Sequence, residues 1–237
     1  MTLFKKNVAT LAVGAALLVS AQVNAADDVT MKVSGTILPA ACTPALSNSG
    51  EVAFGSIAAS SIRKAPAGNA LVQLGSKDIT LTVTCDAATA IGFTMADNRA
   101  SSAANLSSSA YINSAFTGGM KVTEPYFAFG LGVATNDAKI GAYSVAVDGA
   151  KLTADSVAAN MLVSDDQGAT WRTASYGQQS NDNSRIVTAG EVGSLEPKMF
   201  KEMTVPLKIA AGVQPSSVLG SDEIVLNGSA TLSLVYL

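Results

Sequence analysis

The chain has 237 residues, of which 48% are hydrophobic and only 14% charged, with a formal net charge of −3. Lysine and arginine together number 15 and form no cluster, so the basic footprint that nucleic-acid binding requires is missing. The sequence contains no histidine, which removes the commonest general base and metal ligand and excludes Ser–His and Cys–His nucleophile systems.

In chain order, residues 1–25 read as a secretory signal peptide. Lys5 and Lys6 precede a short apolar core, and Val23-Asn24-Ala25 offers small residues for cleavage after Ala25, or after Ala26. The apolar run is short for a membrane span, although a retained anchor is the rival reading. Cleavage removes Lys5 and Lys6 and lowers the formal charge by two. Export makes an oxidised pair the default state of Cys42 and Cys85, the two cysteines; two buried thiols are the alternative. A bridge between them would close a loop of about 43 residues, worth roughly 4 kcal/mol by chain entropy.

Val29, Met31, Val33, Gly35 and Ile37 alternate with polar residues right after the cleavage site, the period-two pattern of a strand with one apolar face. Pro39 then interrupts ladder pairing. Strands are expected over 51–57, 78–85 and 91–95. In the second, Ile79, Leu81, Val83 and Cys85 share a face, which turns Cys85 inward. The Ser/Ala/Asn/Gly-rich stretch 97–119 reads as a surface excursion. Strand patterns return over 126–133 and 140–147, with a turn at Asn136-Asp137, and Asn181-Asp182-Asn183 marks a loop. The segment 203–209 alternates again, and Pro206 points to an edge strand or a bulge. A turn region over 213–221 leads to the last strand, where Ala230, Leu232, Leu234 and Tyr236 alternate with Ser229, Thr231, Ser233 and Val235. No long helical pattern with caps is present. Many short strands joined by turn-rich links make the expected fold an all-β sandwich.

Ser164, Asp166, Gly168, Thr170 and Trp171 match the Asp-box pattern S-x-D-x-G-x-T-W. Its chemistry is that of a tight hairpin: the aspartate bonds turn amides, the glycine takes positive φ and the tryptophan covers the turn. Such boxes recur in sialidase propellers away from the catalytic centre, but one copy in a chain of this length makes no propeller. A carbohydrate contact through Trp171 or Tyr176 is the sharper alternative. Asp165/Asp166 and Asp27/Asp28 are adjacent carboxylates of the kind that cap turns, and nothing sets two of them across a sugar. No catalytic residue, cofactor or metal site is expected.

Four features in order resemble the chaperone–usher pilins. They are the alternating arm with Gly35 in it, Pro39-Ala40-Ala41-Cys42, Cys85 downstream, and a glycine-to-tyrosine C-terminus from Gly228 to Tyr236. The segment 203–209 is similar to that family's penultimate strand. The resemblance covers about 29–95 and 203–237. It implies an incomplete immunoglobulin-like sandwich over 42–237 that lacks its last strand, and an N-terminal donor-strand extension over 26–41. It also implies that Val29, Met31, Val33, Gly35 and Ile37 enter a neighbour's groove. The groove strand, gripped first by a periplasmic chaperone, would be Gly228, Ala230, Leu232, Leu234, Tyr236 and Leu237, with the Leu237 carboxylate as anchor. An outer-membrane usher and neighbouring subunits are the other implied partners, and the cell-surface fimbria the destination. The stretch of about 97–198 departs from the compact pilins and reads as an enlarged central insertion. The alternatives are a closed, monomeric carbohydrate-binding sandwich that takes a host or surface glycan, and a small glycosidase-like enzyme.

Overall fold

A computed structural model describes residues 29–36, 40–174, 176–220 and 222–237. The expected signal peptide, Asp27, Asp28, Ile37 and Pro39 therefore lie outside the described residues. The chain divides into two units, Met1–Leu38 and Pro39–Leu237. In the first, residues 29–36 form no strand despite their alternation, and Val29, Met31 and Val33 are 91%, 84% and 88% exposed. Alternation states which face a strand would bury; a ladder partner is still needed to make one.

Among its described residues the second unit has thirteen strands: β1 Cys42–Leu46, β2 Val72–Thr89, β3 Ile91–Asp97, β4 Phe129–Gly130, β5 Gly141–Asp148, β6 Thr153–Ala154, β7 Val157–Ala158, β8 Asn160–Ser164, β9 Arg172–Thr173, β10 Tyr176–Gln178, β11 Ile186–Gly190, β12 Phe200–Val213 and β13 Ala230–Tyr236. A single helical turn, α1 Ser216–Leu219, precedes the last of them. One sheet runs β1-β2-β12-β5-β10, with β4 on β5 and the β6–β7 hairpin on β12; the other runs β13-β3-β11-β8-β9. The protein is an all-β sandwich of two antiparallel sheets.

The inner faces follow the period-two rule. Leu81 and Val83 of β2 and Val205 and Leu207 of β12 meet Phe93 of β3, Val187 of β11 and Val163 of β8 in one buried cluster. Each such side chain contributes about 1.5–3 kcal/mol when fully buried. Cys42 and Cys85 stand opposite each other in the β1–β2 ladder and are joined, with Cα atoms 4.0 Å apart.

Several expectations need correction. The stretch 97–119 is more than a surface excursion: Ala104, Leu106 and Ile112, joined by Val122 and Ala128, cover the outer face of the first sheet over Ala142 and Ala210. Between this second small core and the main one, every residue of β5 is buried. The small side chains of Ala142 and Ala210 leave room for the covering segment. Residues 97–198 as a whole supply strands to both sheets, so their extra length lies in this cover and in short hairpins. Over 126–133 only Phe129–Gly130 is strand, because a 3-10 turn at Pro125–Phe127 occupies its start. Pro206 is neither at an edge nor at a register shift. It lies in the central strand β12, between Met203 and Thr204, paired with β6, and Leu207 onward, paired with β5. The ladder on that side is already interrupted there, so the missing N–H removes no bond from it. The segment 51–57 takes no regular secondary structure, with Gly55 at φ +71°, and belongs to no sheet.

Candidate functional site: an open cleft between the sheets

The 51–57 segment leads to the site. β1 is only five residues long, and the chain leaves it through a turn at Ser47–Gly50 in which Asn48, Ser49 and Gly50 take positive φ. Beyond the turn Val52, Phe54 and Ile57 pack against the core without a ladder. On the far side 222–229 approaches β13 in the same manner, with Ile224 and Leu226 turned inward. Among the described residues, no backbone hydrogen bond is made by 52–57 or 223–226. The bonds nearest to the second stretch are Asn227 N–H to Leu131 O and Asn98 N–H to Ser229 O.

A cleft of about 980 Å³ lies between these two walls. That is the top of the range for small-molecule sites, about 300–1,000 Å³, and suits an extended segment better than a compact solute. Ile79, Leu207, Ile209, Val145 and Tyr143 of the first sheet, with Ile140 just before β5, form its floor, and Met95 and Leu232 contribute from the second. Burial, and then the charge of Asp97, push the Tyr143 hydroxyl pKa up, so the group stays protonated at any physiological pH.

Of the residues expected on the groove strand, Gly228, Ala230 and Leu232 line the cleft. Leu234 packs against the core beside it. Tyr236 and Leu237 lie at the other end of β13: the Cys42 N–H donates to Tyr236 Oη at 3.1 Å, and the Leu237 N–H donates to Ala90 O at 3.1 Å. These bonds tie down a terminus that would otherwise fray. β13 pairs with β3 alone, so its second edge carries no strand among the described residues. Tyr143 and the two walls escaped sequence reasoning. The alternation of Val52, Phe54 and of Ile224, Leu226 was readable, but not the absence of their partners.

The Asp-box hairpin forms between β8 and β9. Asp166 Oδ1 accepts from Ser164 Oγ at 2.7 Å and from the Thr170 N–H at 2.9 Å, and Oδ2 accepts from Thr170 Oγ1 at 2.6 Å. Gly168 has φ +91°, and its missing Cβ would lie 3.6 Å from Trp171. The bonds from Thr170 and Ser164 hold the Asp166 carboxyl down at about 2. Burial opposes ionisation of Asp165, yet its bonds from Arg185 (2.6 Å) and Arg172 (2.9 Å) outweigh it and lower that pKa as well. Neither carboxyl is suited to be a protonated acid near neutrality, as glycoside cleavage needs of one member of a pair. Trp171 ends the loop of this hairpin, just before β9 of the second sheet, whereas Tyr176 sits on the edge strand β10 of the first, stacked on Phe116 at 4.2 Å. Among the described residues, no group of three His, Cys, Asp or Glu gathers to hold a metal, and no helix is long and apolar enough to cross a membrane.

The fold and cleft define a disulfide-bridged β-sandwich that leaves an apolar furrow open between its sheets. Residues 31–144 match the family described as "Protein of unknown function (DUF1120)". Protein GltF of Escherichia coli (strain K12) is 36% identical over 252 residues, covering 99% of this chain and 99% of its own. The uncharacterized protein YhcF of the same strain is 32% identical over 243 residues, covering 98% and 99%. The chain belongs to the family of GltF and YhcF.

Proposed function

We propose that this protein is an exported structural subunit of a surface fimbria, completed by a donor strand from the next copy. The observation that carries the reading is the cleft of about 980 Å³ whose two walls, 52–57 and 223–226, make no backbone hydrogen bonds among the described residues. Walls whose Val52, Phe54, Ile224 and Leu226 are only half-buried and whose backbone edges are unpaired are an aggregation hazard. One added strand satisfies both, with main-chain bonds to the walls and alternate side chains in the floor. The arm of Val29, Met31, Val33, Gly35 and Ile37 has the right alternation. One arm and one cleft per copy give a head-to-tail, open-ended assembly. On the way out, a periplasmic chaperone would shield the cleft and an outer-membrane usher would present it to the next arm.

The test is the assembly state of the full exported chain, produced with its secretion partners and separated without boiling. A ladder of polymers that collapses to monomer on boiling supports the reading. The ladder disappears when Val29, Met31 and Val33 become aspartate. A monomer at every concentration, unchanged by that triple substitution, contradicts it. A closed glycan-binding sandwich is the second reading, favoured by Tyr176, 47% exposed and backed by Phe116. It predicts retention on a glycan array that Tyr176→Ala abolishes.

A further inference from the structure

The 222–229 wall of the cleft holds a dipeptide that the rest of the sequence lacks: Asn227 is the one asparagine followed by glycine. Packing, not backbone conformation, calls for that glycine. Gly228 does not take positive φ, but a Cβ on it would lie 2.7 Å from Tyr143 Cε1, closer than real Cβ atoms come. The ring cannot step aside, because Tyr143 is 8% exposed and stacked on Phe129 with centroids 5.2 Å apart. Asn227 contributes through its backbone instead: its N–H donates to Leu131 O at 2.9 Å, and the residue is exposed. Among the described residues, neither the Asn227 side-chain amide nor the Gly228 N–H makes a hydrogen bond. Other asparagines are held by theirs: Asn181 Nδ2 donates to Pro125 O and Ala128 O, Asn136 Nδ2 to Val218 O and Asn98 Nδ2 to Ser229 Oγ.

An unbonded backbone nitrogen follows an unbonded carboxamide, and no side chain on the nitrogen's own residue crowds the approach. That is the arrangement for intramolecular attack. We infer that Asn227-Gly228 is a self-modification site, at which the folded chain deamidates with age. Gly228 N bonds to Asn227 Cγ as the Cγ–Nδ2 bond breaks, and Nδ2 leaves as ammonia with the proton that Gly228 N gives up. A succinimide ring remains, and water opens it. Addition of water at Cγ gives aspartate; addition at the backbone carbonyl carbon gives isoaspartate, whose main chain runs through Cβ and Cγ and is longer by a carbon. Nothing is oxidised or reduced, and water is the only co-reactant. Either product adds a carboxylate to a wall that already carries Asp222 and Glu223. The longer main chain has little slack. The bonds Asn227 N–H to Leu131 O and Asn98 N–H to Ser229 O bracket the dipeptide at the foot of β13, so the added carbon breaks one of them. None of this depends on what occupies the cleft.

The experiment incubates the full exported chain at neutral and at mildly alkaline pH and follows each asparagine by peptide mass spectrometry, with the same chain in urea as the unfolded reference. Enzymatic methylation of the isoaspartyl carboxylate tells isoaspartate from aspartate. In the folded chain Asn227 converts at least about tenfold faster than Asn48 or Asn113, each followed by serine, an activation difference of about 1.4 kcal/mol. Alkaline pH speeds the conversion, since Gly228 N must lose its proton, and both products appear. Asn227→Gln abolishes conversion at this position and leaves the other asparagines unchanged. The isoaspartate fraction, separated by charge exchange, is then melted beside the Asn227→Asp variant, which carries the same charge without the added carbon. It melts about 1–6 °C lower, the worth of one hydrogen bond in a chain of this size. Asn227 intact in the folded chain, whether or not the chain in urea converts, overturns the inference. So does a rate at Asn227 no greater than at Asn48 or Asn113. Equal melting of the isoaspartate fraction and Asn227→Asp overturns the cost to the foot of β13.

Discussion

The hydroxyl of Tyr236 accepts a hydrogen bond from the backbone N–H of Cys42 at 3.1 Å, across 194 positions of sequence. It joins the end of the last strand in one sheet to the start of the first strand in the other. Cys42 is also bridged to Cys85 of β2 within the first sheet, so the point to which Tyr236 bonds, at the end of the sandwich where β13 finishes, is itself braced. Along the rest of β13 the fastening gives way to the open cleft.

Replacing Tyr236 by phenylalanine removes that bond and little else, since the ring is 54% exposed. The expected cost is about 0.5–1.5 kcal/mol, read from urea unfolding with an unchanged m-value. A loss well above that range would mean that the tyrosine also packs against a surface not identified among its contacts.

Removing the disulfide has a larger effect. Cys42→Ser with Cys85→Ser should lower stability by about 2–5 kcal/mol, mainly by freeing the unfolded chain. The measurement is denaturant unfolding of the double variant beside the parent, both in the exported form.

Ile112 tests the second core. It is fully buried in a stretch whose composition reads as loop. Ile112→Ala should cost about 2–5 kcal/mol, as in any well-packed core, whereas a surface position would change by less than about 0.5 kcal/mol.

Asp166 gives the hairpin a pH dependence. Its folded pKa of about 2 lies below the usual carboxylate value, so the folded state favours the ionised form. The stabilisation is present in full above the unfolded pKa of about 4 and is lost as pH falls toward about 2. Asp166→Asn should flatten the acid limb between about pH 4 and pH 2 while leaving the neutral region parallel to the parent. Thermal unfolding across that range checks it. An identical acid limb in both proteins would mean that the ties to Ser164 and Thr170 do not persist in solution.

Local pattern carried much of the fold. The alternation of Ile79, Leu81, Val83 and Cys85 stated a strand, its face and the position of one bridge partner, because period two is a property of neighbours. Ser164 to Trp171 stated a hairpin for the same reason. What the pattern could not state is pairing. Val52 and Phe54 alternate as well as any strand, yet no described residue pairs with them. Pro206 argues for an edge only while the break between β6 and β5 is unknown. The cover formed by Leu106 and Ile112 was hidden because its few large apolar residues are scattered among serine and alanine. Tyr143 acquires its place only where Gly228, far along the chain, brings the wall down to the floor.

On the donor-strand reading the cleft is a vacant strand site. The most direct measurement is the melting temperature of the full exported chain, its own arm silenced by aspartate at 29, 31 and 33, with and without the 26–41 peptide. At a peptide concentration about 100 times the dissociation constant, linkage gives about 2.7 kcal/mol, a rise of about 5–10 °C for a domain of this size. That rise is expected with the parent peptide, and none with the peptide carrying Gly35→Leu. A stable monomer whose melting temperature ignores both peptides would mean a closed sandwich with no vacant strand site.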